Sequence, residues 1–403
     1  MSIASGLYRG ATGLGGALLR AGAPAAGPVW RERLALELPP LATDGVWIHA
    51  ASVGEVTSVQ MLARDLSYAM PVQFTTNTTS GVARARDLGF SACLAPLDVP
   101  GAVSRFLDAL NPQLALTVEN EIWPNRAAAL RARGVPQVVV GARLSARSAK
   151  GWLRARGLIE PVLAGLAGLS AQDQGSEARF LSLGLPPDAL LPRVQLKLSV
   201  PAQVVPPPDS AARDRTWLAA STHEGEEDLI LDAFLAAKAR VPDLRLILAP
   251  RHPKRGDSVA ASIAVHGLPL RRRSQGADEP DPVLLVDVLG EMPRWYDAAG
   301  ICLTGGSFVD VGGHTPWEPA AHRCAILHGP DVANSAEGYA ALAANGATLQ
   351  VTPTDLADAV VSLATDPARA RRMGQAARQV LDTQAGDLSP LLGAVLALAK
   401  PSA

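Results

Sequence analysis

VWIHAASVGEVTSVQMLARDLSYAMPVQFTT (46–76) decides the fold. Its first five residues are an apolar run of strand length, and such runs read as strands buried on both faces. From Glu55 to Ala69 the period changes, and Val56, Val59, Leu62 and Leu66 fall on one side of a helix. VQFTT (72–76) returns to strand. Downstream, Ser80 is predicted to cap a helix running to about Leu88. LALTV (114–118) reads as a strand, Asn125 to Arg133 as a helix and QVVV (137–140) as the next strand. This β-α-β-α alternation predicts a parallel sheet with helices on both faces.

PAQVVPPPD (201–209) interrupts the rhythm with four prolines in nine residues and reads as an extended linker. The alternation then restarts: TWLAAS (216–221), a helix over 224–240, LRLILAP (244–250), PVLLVD (282–287) and GICLTGG (300–306), with helices beyond Thr354. The expected architecture is α/β with two Rossmann-like halves, residues 31–200 and 210–403. Terminal helices are free to pack back on the first half. Ligands in such folds sit at the carboxyl ends of the strands, here expected in a cleft between the halves.

Composition narrows the function. The 403 residues are 48% hydrophobic and 19% charged, which excludes a disordered chain. The net charge of −1 disfavours a general nucleic-acid coat. Residues 1–200 carry 19 basic and 14 acidic side chains, and residues 201–403 carry 18 and 24. The halves therefore suit different partners. Cys93, Cys302 and Cys324 are far apart with no CxxC pair, which excludes a disulfide framework or zinc ribbon. Seven histidines are scattered without HExxH spacing, so no metal is expected, and no GxSxG elbow points to a serine hydrolase. In the first thirty residues Arg9 and Arg20 divide the apolar stretch, leaving runs too short to span a bilayer. That segment reads either as a frayed terminus or as an interfacial helix dipping Leu7, Tyr8, Leu14, Leu18 and Leu19 into an anionic membrane.

Chemistry is concentrated where strands run into loops. HAASVGEV (49–56) puts Glu55 in a helix's first turn, where a carboxylate is stabilised. It reads as an ordinary helix-start acid, or as a functional one because ligands bind at that loop. TVENEIWPN (117–125) sets Glu119 and Glu121 after a strand, and continued strand alternation would point both the same way. GARLSARSAKGWLRAR (141–156) holds Arg143, Arg147, Lys150, Arg154 and Arg156 without an acid: a solvated helix face, or a receptor for an anionic substrate near a membrane. LAPRHPKR (248–255) places bases after a strand, suited to phosphate. GGSFVDVGGHTPWEPAA (305–321) offers two glycine pairs whose amides can approach an anion.

Taken in order, HAASVGEV, TVENEIWPN, GARLSARS, AASTHEGEE (219–227), LAPRHPKR and GGSFVDVGGHTPWEPAA resemble the signature of 3-deoxy-D-manno-octulosonic acid (Kdo) transferases over about residues 45–345. The resemblance implies a GT-B fold and inverting, metal-independent transfer of Kdo from CMP-Kdo to a lipid A precursor. It implies no cofactor and work at the cytoplasmic face of the bacterial inner membrane, with residues 1–30 as a weak or peripheral anchor; no nucleic-acid partner is expected, and a monomer is expected although the sequence leaves the oligomeric state open. By the same resemblance Glu55 is the general base, Glu119 supports the transition state, and Lys197 matches the family's lysine. The donor's CMP would touch Pro250, Arg251, the Gly290-Glu291-Met292 turn and Thr315, Pro316, Trp317 and Glu318. Amides of Gly305, Gly306 and Ser307 would assist, and Arg143 and Arg147 would face the acceptor. The chain departs from the pattern in three places: Val194-Gln195 precede Lys197, Thr315 replaces an Asn, and arginines interrupt the anchor. Two alternatives fit the same residues: another GT-B nucleotide-sugar enzyme, and a non-catalytic nucleotide- or lipid-binding protein on this scaffold.

Overall fold

The computed structural model describes residues 2–23 and 27–399. Residues 1 and 24–26 of the N-terminal segment, and 400–403 of the expected second half, lie outside the described residues. The chain divides into two compact units, Met1–Val200 with Ala385–Ala403, and Pro201–Gln384.

The N-terminal unit holds a parallel six-stranded sheet: β1 (Val46–His49), β2 (Val72–Thr76), β3 (Ser91–Leu94), β4 (Leu114–Val118), β5 (Gln137–Ala142) and β6 (Gly168–Ala171), in the order β3-β2-β1-β4-β5-β6. Side chains alternate across a strand, so β1 feeds two cores. Ile48 packs with Val56, Val59 and Leu62 on one face, and Trp47 packs with Phe106, Leu107 and Leu130 on the other. The helix Val53–Ser67 covers the first face. The terminal helix Ser389–Leu398 buries Leu391 and Val395 in that same cluster, which is why residues from 385 onward belong to this unit.

The C-terminal unit holds a parallel seven-stranded sheet: β7 (Thr216–Thr222), β8 (Arg245–Pro250), β9 (Leu270–Arg272), β10 (Val283–Leu285), β11 (Ile301–Thr304), β12 (Ala325–His328) and β13 (Thr348–Gln350), ordered β13-β12-β11-β7-β8-β10-β9. The chain first builds outward from β7 on one side, then crosses to β11 on the other. The switch point therefore lies between β7 and β11.

Three sequence expectations shift. The helix after β2 spans Thr79–Asp87 and is capped by Thr78, not Ser80, because the Thr78 hydroxyl accepts the Gly81 N–H at 3.1 Å. The helix Leu196–Ala202 takes in Pro201 and Ala202, so the extended proline-rich segment is shorter than 201–209. The helix expected over 224–240 begins at Glu227, because Glu226 folds back into the loop after β11.

Residues Ile3–Gly22 form one helix rather than a frayed end. Its inner side meets the body closely: a Cβ at Gly16 would lie 2.9 Å from Val99. Tyr8 donates to Asp98 at 3.0 Å, and Thr12 accepts from Asn125 at 2.9 Å. Tyr8 is therefore turned inward, against the sequence reading. Ile3, Leu7, Leu14 and Leu18 are 71–86% exposed, and their spacing puts them along one outward side. Among the described residues no helix is long and apolar enough to cross a membrane.

Candidate active site

Ser52 caps the helix after β1, and Glu55 in its first turn reaches back to the residue before the cap. The Ser52 hydroxyl accepts the Glu55 N–H at 3.4 Å, and Glu55 Oε2 accepts the Ala51 N–H at 2.8 Å. Glu55 Oε1 lies 3.3 Å from the Ser52 hydroxyl. The half-buried carboxylate is thus anchored yet retains acceptor capacity. Burial, then the charges of Glu119 and Glu121, pushes its pKa above the ordinary carboxylate value. A carboxylate shifted in that direction is suited to proton transfer nearer neutral pH.

Glu119 and Glu121 do not point together. The strand ends at Val118, and Glu119 adopts φ +59°, a left-handed turn that breaks the alternation. Its carboxylate meets Lys197 Nζ at 2.8 Å, which joins two residues that the sequence reading selected separately. Glu121 turns the other way and accepts from Trp123 Nε1 at 2.7 Å. His49, then Trp123 and Arg126, draws the Glu121 carboxyl down to about 2. His49 is 2% exposed, and its burial lowers the imidazole pKa to about 4, so it is charged only at the acid pH where Glu121 titrates. Its Nε2 sits 3.6 Å from Glu121, too long for a hydrogen bond. Trp47, His49, Glu119, Glu121, Trp123 and Arg126 line a cavity behind these acids. The sequence reading passed over His49, and the signal was there: a histidine at the carboxyl end of the first strand.

Arg143 is exposed, as are Arg147, Lys150 and Arg154 on the helix Ala146–Arg154. Among the described residues no carboxylate pairs with these four, whereas Arg156 has Glu160 at 2.9 Å. Four of the five expected bases remain as an open cationic surface.

In the C-terminal unit, Pro250 ends β8, and Arg251 follows with its side chain exposed and its N–H on Thr222 O at 2.9 Å. Arg255 is committed elsewhere, forking Glu227 at 2.7 and 3.0 Å. Glu291 is likewise forked by Arg273 at 2.7 and 3.0 Å, so its carboxylate is occupied, while Gly290, with φ +85°, turns the chain into the helix that starts at Met292. Thr315 and Glu318 are exposed at the start of the helix Trp317–Ala321, with Pro316 as its cap. Glu318 accepts from Tyr296 at 3.2 Å.

The glycine turn overturns one expectation. The N–H groups of Gly306, Ser307 and Phe308 converge on the Glu226 carboxylate at 2.7, 3.0 and 3.1 Å, and the His223 N–H joins them at 2.8 Å. Gly305 N–H bonds Ala220 O at 2.8 Å. Of the amides expected to hold a ligand's anion, those of Gly306 and Ser307 already hold an internal one, and that of Gly305 is taken by a carbonyl.

Residues 29–200 match the family described as 3-deoxy-D-manno-octulosonic-acid transferase (kdotransferase). The chain is 34% identical over 391 residues to the 3-deoxy-D-manno-octulosonic acid transferase of Haemophilus influenzae, covering 91% of each protein. To the enzyme of that name from Bordetella pertussis it is 37% identical over 376 residues, covering 86% of this chain and 85% of the relative. In fold it resembles UDP-GlcNAc 2-epimerase from Neisseria meningitidis, with TM-score 0.58 at 12% identity over 88% of this chain and all of that one. The paired parallel α/β units are those of the GT-B fold.

Proposed function

The chain belongs to the 3-deoxy-D-manno-octulosonic acid (Kdo) transferase family, and from that premise we propose that it moves Kdo from CMP-Kdo to a lipid A precursor, with inversion and with Glu55 as general base. The observation that carries this reading is the Glu55 carboxylate, held by the Ala51 N–H at the carboxyl end of β1 with its pKa raised.

The acceptor alcohol is a weak nucleophile until its proton leaves. Glu55 takes that proton while the alcohol oxygen bonds to the anomeric carbon of Kdo, and the bond from that carbon to the phosphate oxygen breaks. CMP departs with the electron pair. One displacement inverts the centre. Glu119, oriented by Lys197, faces the positive charge that develops on the sugar or orients the acceptor. Arg251 takes up the negative charge of the leaving phosphate. Pro250, the Gly290–Met292 backbone and Thr315–Glu318 frame the cytidylate. The direct test is incubation with CMP-Kdo and a tetra-acylated lipid A precursor. A product heavier by whole Kdo units supports the reading, and unchanged acceptor with released free Kdo sinks it.

The acceptor is a lipid, which calls for a membrane-facing surface. The outward row Ile3, Leu7, Leu14 and Leu18 supplies apolar contact, and Arg143, Arg147, Lys150 and Arg154 supply charge. On this reading the protein sits peripherally on the cytoplasmic face of the inner membrane. Each base near an anionic surface contributes about 1 kcal/mol. Replacing Arg147, Lys150 and Arg154 with Gln should therefore weaken binding to phosphatidylglycerol vesicles roughly 100-fold. Co-sedimentation at low and high salt measures this, and equal binding by the variant at low salt would discard the patch.

A further inference from the structure

The carboxyl ends of β7, β8 and β11 bring three histidines together. His223 directly follows β7, His252 lies two residues beyond β8, and His314 lies in the loop after β11. His223 Nε2 and His314 Nε2 are 2.9 Å apart, with ring centroids 5.1 Å apart and planes 20° from parallel. The His252 ring stands edge-on, 6.2 Å from His223. The pair sits at the β7/β11 switch point, where doubly wound sheets bind ligands.

Two imidazole nitrogens at 2.9 Å require one N–H and one lone pair, so the pair shares a single proton across this contact. A second proton there would set N–H against N–H and charge against charge. The backbones cannot relieve this. His223 N–H is fixed on Glu226, and His314 O accepts from Tyr339 at 2.9 Å. The rings are the movable parts. We propose that an anionic group of the donor, bound beside Arg251, draws a second proton onto the His223–His314 pair by accepting a hydrogen bond from the ring nitrogen it frees. Nucleotide affinity is thereby coupled to pH. The proposal rests on the reading that this unit holds a cytidylate donor.

The surrounding charges favour that coupling. Arg251, His252 and Arg255 face the pair from the loop after β8. Of the acids, Glu226 is spent on four amides, Glu227 on Arg255 and Asp331 on the Gly312 N–H, while Glu224 is exposed. Burial, then the cationic neighbours, lowers the pKa of both rings, that of His314 to about 4. In the empty site the second proton is therefore absent at neutral pH, and a bound anion reverses the sign. The gain in affinity appears as pH falls below the pKa of the occupied pair, and it levels off near that of the empty one.

Cytidine 5′-methylphosphate is a suitable probe, because its diester keeps one charge from pH 5.5 to 7.5. Titration calorimetry on the full chain should show Kd falling up to ~10-fold per pH unit over that range, with uptake approaching one proton in buffers of different ionisation heat. His223→Gln and His314→Gln should flatten the profile and abolish the uptake. A flat wild-type profile without proton uptake, or a slope that survives in both variants, overturns the proposal. The wild-type uptake stands as a readout even if a variant folds poorly. Binding of the uridine diester in place of the cytidine one, with the same histidine-dependent slope, would keep the pair and remove the cytidylate reading.

Discussion

Glu55→Gln is expected to lower turnover by ~10²–10⁴-fold and to leave unfolding free energy within about 0.5 kcal/mol of wild type. The two effects separate because Glu55 has two jobs. As the third helical residue it accepts the Ala51 N–H ahead of the cap, and a glutamine oxygen can do the same. As a base it must accept a proton from the acceptor alcohol, and glutamine cannot. The substitution also removes a negative charge beside Glu119 and Glu121, which offsets part of any strain. Glu55→Ala should behave differently, losing the base and also about 1 kcal/mol of helix start. The wild-type pH profile carries an independent signature. A base works when ionised, so kcat/KM should be full above the Glu55 pKa and fall as pH drops through it. Because burial and the neighbouring acids raise that pKa, the acid limb should lie above the usual carboxylate range. Initial rates between pH 4.5 and 8 test both points. A glutamine variant within tenfold of wild type, with its acid limb intact, would move the base to another residue.

The two sheets and the ordered motif blocks could be read along the chain because β1, β4, β7 and β8 are apolar runs flanked by helical periods. β3, β6, β9, β12 and β13 escaped notice for a local reason. They are three or four residues long, SACL, GLSA, LRR, AILH and TLQ, and partly small or polar. The candidate site residues were chosen from their places after strands and from the family resemblance, and neither gives their geometry. The left-handed turn at Glu119 sends its carboxylate to Lys197, 78 positions away in sequence, and strand alternation had no means of foreseeing it. The Glu224–Glu227 run reads as a cluster of helix-start acids. Only the fold shows that Glu226 leaves that cluster to fill a turn eighty residues later.

That filled turn is the basis of the second large effect. Glu226 is fully buried, and each of its oxygens accepts two N–H groups: His223 and Gly306 on one, Ser307 and Phe308 on the other. Glu226→Ala would leave four donors without an acceptor, those of Gly306 and Ser307 buried and those of His223 and Phe308 partly so. Each costs about 1–3 kcal/mol, and with partial relaxation we expect the C-terminal unit to lose about 3–5 kcal/mol. Glu226→Gln, despite its matching shape, should rescue little. Whichever way the amide is turned, its NH₂ faces two N–H donors. The loop it holds also carries His314, so nucleotide affinity should fall together with stability. Denaturant unfolding of both variants, with hydrogen exchange read at Gly306 to Phe308, checks this. If those amides instead serve the ligand directly, Glu226→Gln would release them, and affinity for a cytidine phosphodiester would rise while the exchange protection of the ligand-free loop fell little. Opposite signs on binding thus distinguish an internal anion that shapes the pocket from a vacant cradle waiting for one.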